Sequence, residues 1–155
     1  MEGYVDAGLV STAKHFPGHG AATQDSHETL PEIEPDDAFT VDREAFLDTI
    51  ARVGRSASRD ESRPVLTGIL VRFEGGKLVM VATDSYRLSV KETELGEAAP
   101  ELEAIIPARA LTELSRLATG DTVELGVHEN HVVFGTGASD GADAWLTTRR
   151  IDGQF

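Results

Sequence analysis

The residues best suited to chemistry fall in three places. Near the start, Lys14, His15 and His19 surround Phe16-Pro17-Gly18, and Asp25-Ser26-His27-Glu28 follows. A histidine whose ring is held by a nearby carboxylate can act as general acid or base near neutral pH. The prolines and glycines of this stretch make it a loop. A second group is cationic. Arg52, Arg55 and Arg59 recur at intervals of three and four, and Arg109 and Arg116 lie seven apart. Arginine attracts phosphate without reading sequence, and salt weakens that attraction. Basic side chains on a helix face also serve solvation, so spacing alone leaves both readings open. The third place is Thr83-Asp84-Ser85, whose short polar side chains can bond their own backbone in a tight turn. His128 and His131 flank another turn, but no further ligand candidate is near them in sequence, so no metal site is expected there. No cofactor motif is found.

The elements that must position these residues follow from periodicity. Phe39-Thr40-Val41 reads as a first strand, and the pattern predicts a helix over about 42–58. Thr40 or Asp42 could cap it. Its apolar face is Phe46, Ile50, Val53 and Ala57. At about 100° per residue, Arg52, Arg55 and Arg59 fall roughly opposite that face. Asp48 shares their side and can pair with Arg52. Val65–Phe73 reads as a strand, Glu74-Gly75-Gly76-Lys77 as a hairpin turn, Leu78–Thr83 as the returning strand and Tyr86–Glu92 as the next. A short strand at Glu103–Ile106 precedes a second helix that opens at Pro107. That helix buries Leu111, Leu114 and Leu117, turns Arg109 and Arg116 away, and stops at Gly120. Thr122–Val127, His131–Thr136 and Asp143–Ile151 complete the strands, with a loop over Gly135–Gly141. Strand, helix, strands, helix, strands is an α+β layer pattern. No internal repeat is evident in the sequence.

Composition bounds the answer further. A chain of 155 residues with 40% hydrophobic content can build one ordinary domain with a core. The net charge of −13 argues against a generally basic nucleic-acid binder. Without cysteine there is no disulfide framework and no thiolate metal site. No apolar run approaches the ~20 residues a membrane span needs. The first residues lack a basic signal-peptide start, so a cytoplasmic location is expected. Residues 1–35 stand apart: they hold three of the five histidines and three of the six prolines, with Lys14 the one base against six acids. Pro31–Asp37 reads as a linker, which puts a boundary near residue 36.

The stretch Val81-Ala82-Thr83-Asp84-Ser85-Tyr86-Arg87-Leu88 resembles the signature of the bacterial sliding clamps, the beta subunits of DNA polymerase III. Arg63-Pro64-Val65-Leu66-Thr67-Gly68-Ile69, the run from Ile105 to Leu114, and Thr147–Phe155 match further segments of that family's middle domain in the same order. Over about 36–155 the resemblance implies a clamp domain: two helices packed on antiparallel sheet, without catalytic activity. It implies a processivity role in DNA replication, with Arg52, Arg55, Arg59, Arg109 and Arg116 facing duplex DNA. It also implies a pocket at Thr83, Ser85, Tyr86, Arg87 and Leu88 that accepts short apolar peptides of polymerase and repair proteins. Tyr86 stands where that family often has histidine, and Ser85 where it often has glycine. A full-length clamp would be a ring dimer. A chain stopping at Phe155 is expected to be a monomer with an incomplete pocket.

The loop Lys14–Gly20 with Asp25-Ser26-His27 resembles family 3 glycoside hydrolases that cleave beta-N-acetylglucosaminides. That resemblance implies a sugar subsite at Lys14, His15 and His19, and an acid–base dyad of Asp25 and His27. The family is built on a (β/α)₈ barrel of roughly 200 residues or more, and no motif for its aspartate nucleophile is found. Residues 1–35 are therefore expected to be a foreign or relict segment, poorly ordered and inactive, arising from a fusion, a truncation or a misassembled reading frame. The competing reading is a fragment of such a beta-N-acetylglucosaminidase.

Overall fold

The computed structural model describes residues 38–96, 99–136 and 144–155. The segment 1–35, the linker over 31–37 and most of the Gly135–Gly141 loop lie outside these residues. The described elements run β1 (Ala38–Asp42), α1 (Arg43–Val53), β2 (Gly68–Glu74), β3 (Lys77–Thr83), β4 (Leu88–Glu94), β5 (Leu102–Pro107), α2 (Ala108–Leu117), β6 (Thr122–Val127), β7 (His131–Thr136) and β8 (Ala144–Arg149). Two helices and two antiparallel sheets make this an α+β fold. The order strand–helix–three strands occurs twice. The first strand of each set pairs with the other set's strands: β1 with β6, and β5 with β2. This duplication is one of topology and leaves no mark in the sequence.

The chain divides into two units. One takes in the described residues of 38–43 and 117–149. Its sheet has the order β1-β6-β7-β8. Val41, Val123, Leu125, Val132 and Phe134 are buried there, and their register places them on one face.

The other unit comprises Glu44–Arg116 and Arg150–Phe155. Its sheet has the order β4-β3-β2-β5. Strict alternation in β2 and β3 buries Ile69, Val71 and Phe73 opposite Leu78, Met80 and Ala82. The β2–β3 turn is the expected Gly75-Gly76 pair, with φ of +57° and +77°, the left-handed geometry that favours glycine. Helix α1 buries Phe46, Thr49, Ile50 and Val53 and lies over β4. Thr49 and Thr93 share a hydroxyl hydrogen bond of 2.7 Å, and Ser56 and Ser89 one of 2.6 Å. In α2, Leu111 and Leu114 are buried and Leu117 is half-buried.

Several boundaries differ from the sequence expectation, and the last strand, expected over Asp143–Ile151, is described over Ala144–Arg149. Helix α1 ends at Val53, and Gly54–Ser56 tightens into a 3₁₀ turn, so Ala57 and Arg59 lie beyond the helix. Glycine is a poor interior helix residue, which accounts for the early stop. Pro64–Thr67 is also a 3₁₀ turn rather than the start of β2, because proline cannot donate to a sheet ladder. Tyr86 and Arg87 belong to a turn, and β4 begins at Leu88. Pro107 closes β5 instead of opening α2.

Candidate functional site

The β3–β4 connection is built from its own side chains. Thr83 and Leu88 form the last paired position, leaving Asp84–Arg87 as the turn. The Asp84 carboxylate organises it. Oδ1 accepts the backbone N–H groups of Tyr86 and Arg87 at 3.1 and 3.0 Å, and Oδ2 accepts Arg87 Nε at 3.1 Å. The Thr83 hydroxyl donates to the Arg87 carbonyl at 2.7 Å and accepts the Ser85 N–H at 3.1 Å. Partial burial pushes the Asp84 carboxyl up. The Tyr86 and Arg87 N–H groups and the Arg87 guanidinium outweigh it and hold the carboxyl below its ordinary value. Ser85 has a φ of +77°, a conformation costing a non-glycine residue about 1–3 kcal/mol.

With the polar atoms of the turn engaged inwardly, its apolar groups are left outside. Tyr86 is 95% exposed, Leu88 64% and Val90 55%. On β4, Leu88 and Val90 alternate with Ser89, Lys91 and Thr93, which face α1 and the 3₁₀ turn after it through their partners Ser56, Asp48 and Thr49. A groove of about 460 Å³ beside β4 is lined by Arg52, Val53, Leu88, Ser89, Val90 and Lys91. Of the five expected pocket residues, Tyr86 and Leu88 are thus displayed, while Thr83, Ser85 and Arg87 hold the turn.

All five expected DNA-facing arginines are exposed. They differ in what surrounds them. Arg52 pairs with Asp48 at 2.9 Å, as its spacing suggests, and Lys91 joins the same carboxylate. Those contacts, Lys91 first and Arg52 second, hold the Asp48 carboxyl below its ordinary value. Arg116 pairs with Glu113 at 2.9 Å. Among the described residues, Arg55, Arg59 and Arg109 have no acidic partner within ion-pair distance. The two expected sites meet at one bond: Arg87 Nη2 donates to the Arg55 carbonyl at 2.7 Å. Sequence reasoning identified Asp84 as turn chemistry only, although its position before Ser-Tyr-Arg is what Asx geometry requires. It missed Arg63, whose contact with Ser85 spans 22 positions and has no local signature.

At the β6–β7 turn the His128 and His131 rings stack, with centroids 4.8 Å apart and planes at 23°. His131 is buried, and its Nδ1 has no hydrogen-bond partner among the described residues. Burial, and then the neighbouring His128, pushes its pKa below the ordinary histidine value. Among the described residues no group of three or more histidine, aspartate or glutamate side chains is placed to hold a metal ion, and no helix is long and apolar enough to cross a membrane. Lys14, His15, His19, Asp25 and His27, the expected sugar-site residues, lie outside the described residues.

The family described as "DNA polymerase III beta subunit, central domain" matches residues 40–155. The family described as "Glycosyl hydrolase family 3 N terminal domain" matches residues 1–54. A beta sliding clamp of Staphylococcus epidermidis is 32% identical over 115 residues, covering 73% of this chain and 30% of the relative. The DNA polymerase sliding clamp of Bacillus subtilis superposes with a TM-score of 0.71 at 28% identity, over 85% of this chain and 35% of that one. The DNA polymerase III beta chain of Streptococcus pneumoniae gives 0.72 at 30% identity, over the same shares. The chain therefore spans about a third of the length of the proteins it matches.

Proposed function

The chain belongs to the family of DNA polymerase III beta subunit central domains, and we propose that it works as a non-catalytic sliding-clamp module in DNA replication. In this reading it meets duplex DNA through Arg52, Arg55, Arg59, Arg109 and Arg116. It docks short apolar peptides of polymerase and repair proteins at Tyr86 and Leu88. The observation that carries the docking role is the β3–β4 turn. Its polar groups are spent on holding its shape, and two large apolar side chains project from it into solvent. An apolar surface beside a few fixed polar groups is what a short peptide needs.

The DNA role is supported by exposed guanidinium groups on a chain of net charge −13. The acidic remainder discourages DNA elsewhere, so contact is confined to these positions. Phosphate contacts of this kind do not read bases, which suits a sliding protein. The test has two parts. Salt-dependent association with a duplex should weaken on Arg55→Ala and Arg116→Ala substitution in a full-length clamp carrying this domain. Titration with an apolar peptide should be lost on Leu88→Asp. Unchanged curves in both would end the proposal.

A second reading rests on the glycosidase match over residues 1–54. Its last residues overlap the clamp match. There the chain forms the end of β1, hydrogen-bonded to β6 from Thr40↔Glu124 to Asp42↔Thr122, and then α1. The overlap thus belongs to elements of the clamp match. We read residues 1–35 as a separate, catalytically inactive segment ahead of a clamp domain at 36–155. Turnover of a chromogenic N-acetylglucosaminide, abolished by His27→Ala, would reverse this reading.

A further inference from the structure

We propose that Arg63 is a positioning residue whose guanidinium latches the β3–β4 turn through the Ser85 hydroxyl and so fixes the outward aim of Tyr86. The proposal rests on the reading of that turn as a peptide-docking site. Ser85 is the one described non-glycine residue with positive φ, at +77°. An L side chain resists that region, so the conformation lasts only where neighbours over-determine it. Two contacts do so. The Ser85 N–H donates to Thr83 Oγ1 at 3.1 Å, a bond within the turn. Arg63 Nη1 donates to Ser85 Oγ at 3.0 Å from a different segment of the chain.

The anchor is itself held. Arg63 Nε pairs with Asp60 Oδ2 at 3.2 Å, and the Arg63 N–H donates to the Asp60 carbonyl at 3.2 Å. Asp60 Oδ1 in turn accepts the Ser62 N–H and hydroxyl at 3.0 and 2.6 Å. Arg63 thus reaches out from a closed turn, Asp60–Arg63, and Pro64 restricts the backbone just after it. A second tie runs from Arg87 to the Arg55 carbonyl at 2.7 Å. Tyr86 lies between Ser85 and Arg87, so both of its chain neighbours are fastened to residues 55–63. That fastening holds the backbone from which the 95% exposed Tyr86 side chain projects. The planar guanidinium serves Asp60 and Ser85 together, which a lysine ammonium cannot do in the same geometry.

The experiment uses the whole chain and its Arg63→Ala, Arg63→Lys, Ser85→Gly and Arg63→Ala/Ser85→Gly variants, with Glu61→Ala as a control in the same loop. Two quantities are read: backbone ¹⁵N order parameters at residues 84–87, and anisotropy titration with a fluorescein-labelled Leu-Leu-Phe-amide peptide. Arg63→Ala should lower the order parameters of Ser85 and Tyr86 and weaken peptide binding roughly three- to tenfold. Arg63→Lys should restore part of both, and Glu61→Ala should change neither. In the Ser85→Gly background, which lacks the latched hydroxyl, Arg63→Ala should add nothing further. Unchanged order parameters in Arg63→Ala, or effects of the two substitutions that simply add, would overturn the latch. Leu88→Asp separates the two ideas. If it abolishes binding while Arg63→Ala leaves order and binding intact, docking stands and the latch fails. If Leu88→Asp leaves binding unchanged, docking fails and the order parameters alone decide the latch.

Discussion

The turns at β3–β4 and β6–β7 both close antiparallel hairpins, yet they are built on opposite terms. In the first, a carboxylate and a hydroxyl satisfy the backbone, and the apolar side chains stay outside. In the second, an imidazole is buried with one nitrogen unpaired and a second imidazole stacked on it. A satisfied polar frame lets hydrophobic groups remain exposed in a fixed geometry. A buried, unsatisfied one gives up stability, and nothing in this turn displays a comparable apolar surface. Of the two turns, the β3–β4 turn is the one that displays apolar side chains on a satisfied polar frame, which is what the proposed docking role requires.

The largest effects test whether each hairpin rests on its own core. Met80→Ala beneath β3 should cost about 2–5 kcal/mol, and Phe134→Ala in β7 about 3–5 kcal/mol, by denaturant unfolding. Both side chains are wholly buried. Asp84→Ala should leave the fold intact while weakening peptide binding roughly tenfold. It strips acceptors from two backbone N–H groups and from Arg87. A smaller effect separates the turns by pH. The pKa of His131 is lowered in the folded state, so its contribution is full above the ordinary histidine value. It erodes as pH falls below that value and levels off beneath the folded pKa. The Asp84 pKa is also lowered, but from the carboxylate value, so its contribution is full above that value and erodes only as pH falls from there to the folded pKa. Amide protection, corrected for the intrinsic pH dependence of exchange, should therefore fall between pH 7 and 5 at Val127–Val132 and not at Thr83–Leu88. His131→Leu should remove the difference. Smallest is the arginine contrast. In a full-length clamp, Arg55→Ala should lower the salt slope of duplex binding by roughly one unit. Arg52→Ala, already paired with Asp48, should lower it less.

The layer pattern, the Gly75-Gly76 hairpin and the apolar faces of both helices were legible because each is a local periodicity. The stop at Val53 and the 3₁₀ turn at Pro64 followed local residues, Gly54 and Pro64, that the longer apolar pattern obscured. The doubled β-α-β-β-β order was not legible, since it is carried by which strand pairs with which. The candidate site was half visible. The sequence motif located the turn, and its arginine spacing marked the exposed cations. It could not separate the displayed Tyr86 and Leu88 from the structural Thr83, Ser85 and Arg87. Nor could it find Arg63, because that role depends on a contact across the fold.

The most direct test is titration of this chain, and of its Leu88→Asp variant, with the labelled apolar peptide. Saturable binding to the unaltered chain, weakened at least tenfold by the substitution with the fold retained, is the expected result. Superimposable curves for the two proteins would contradict the assignment of the β3–β4 turn as a docking site.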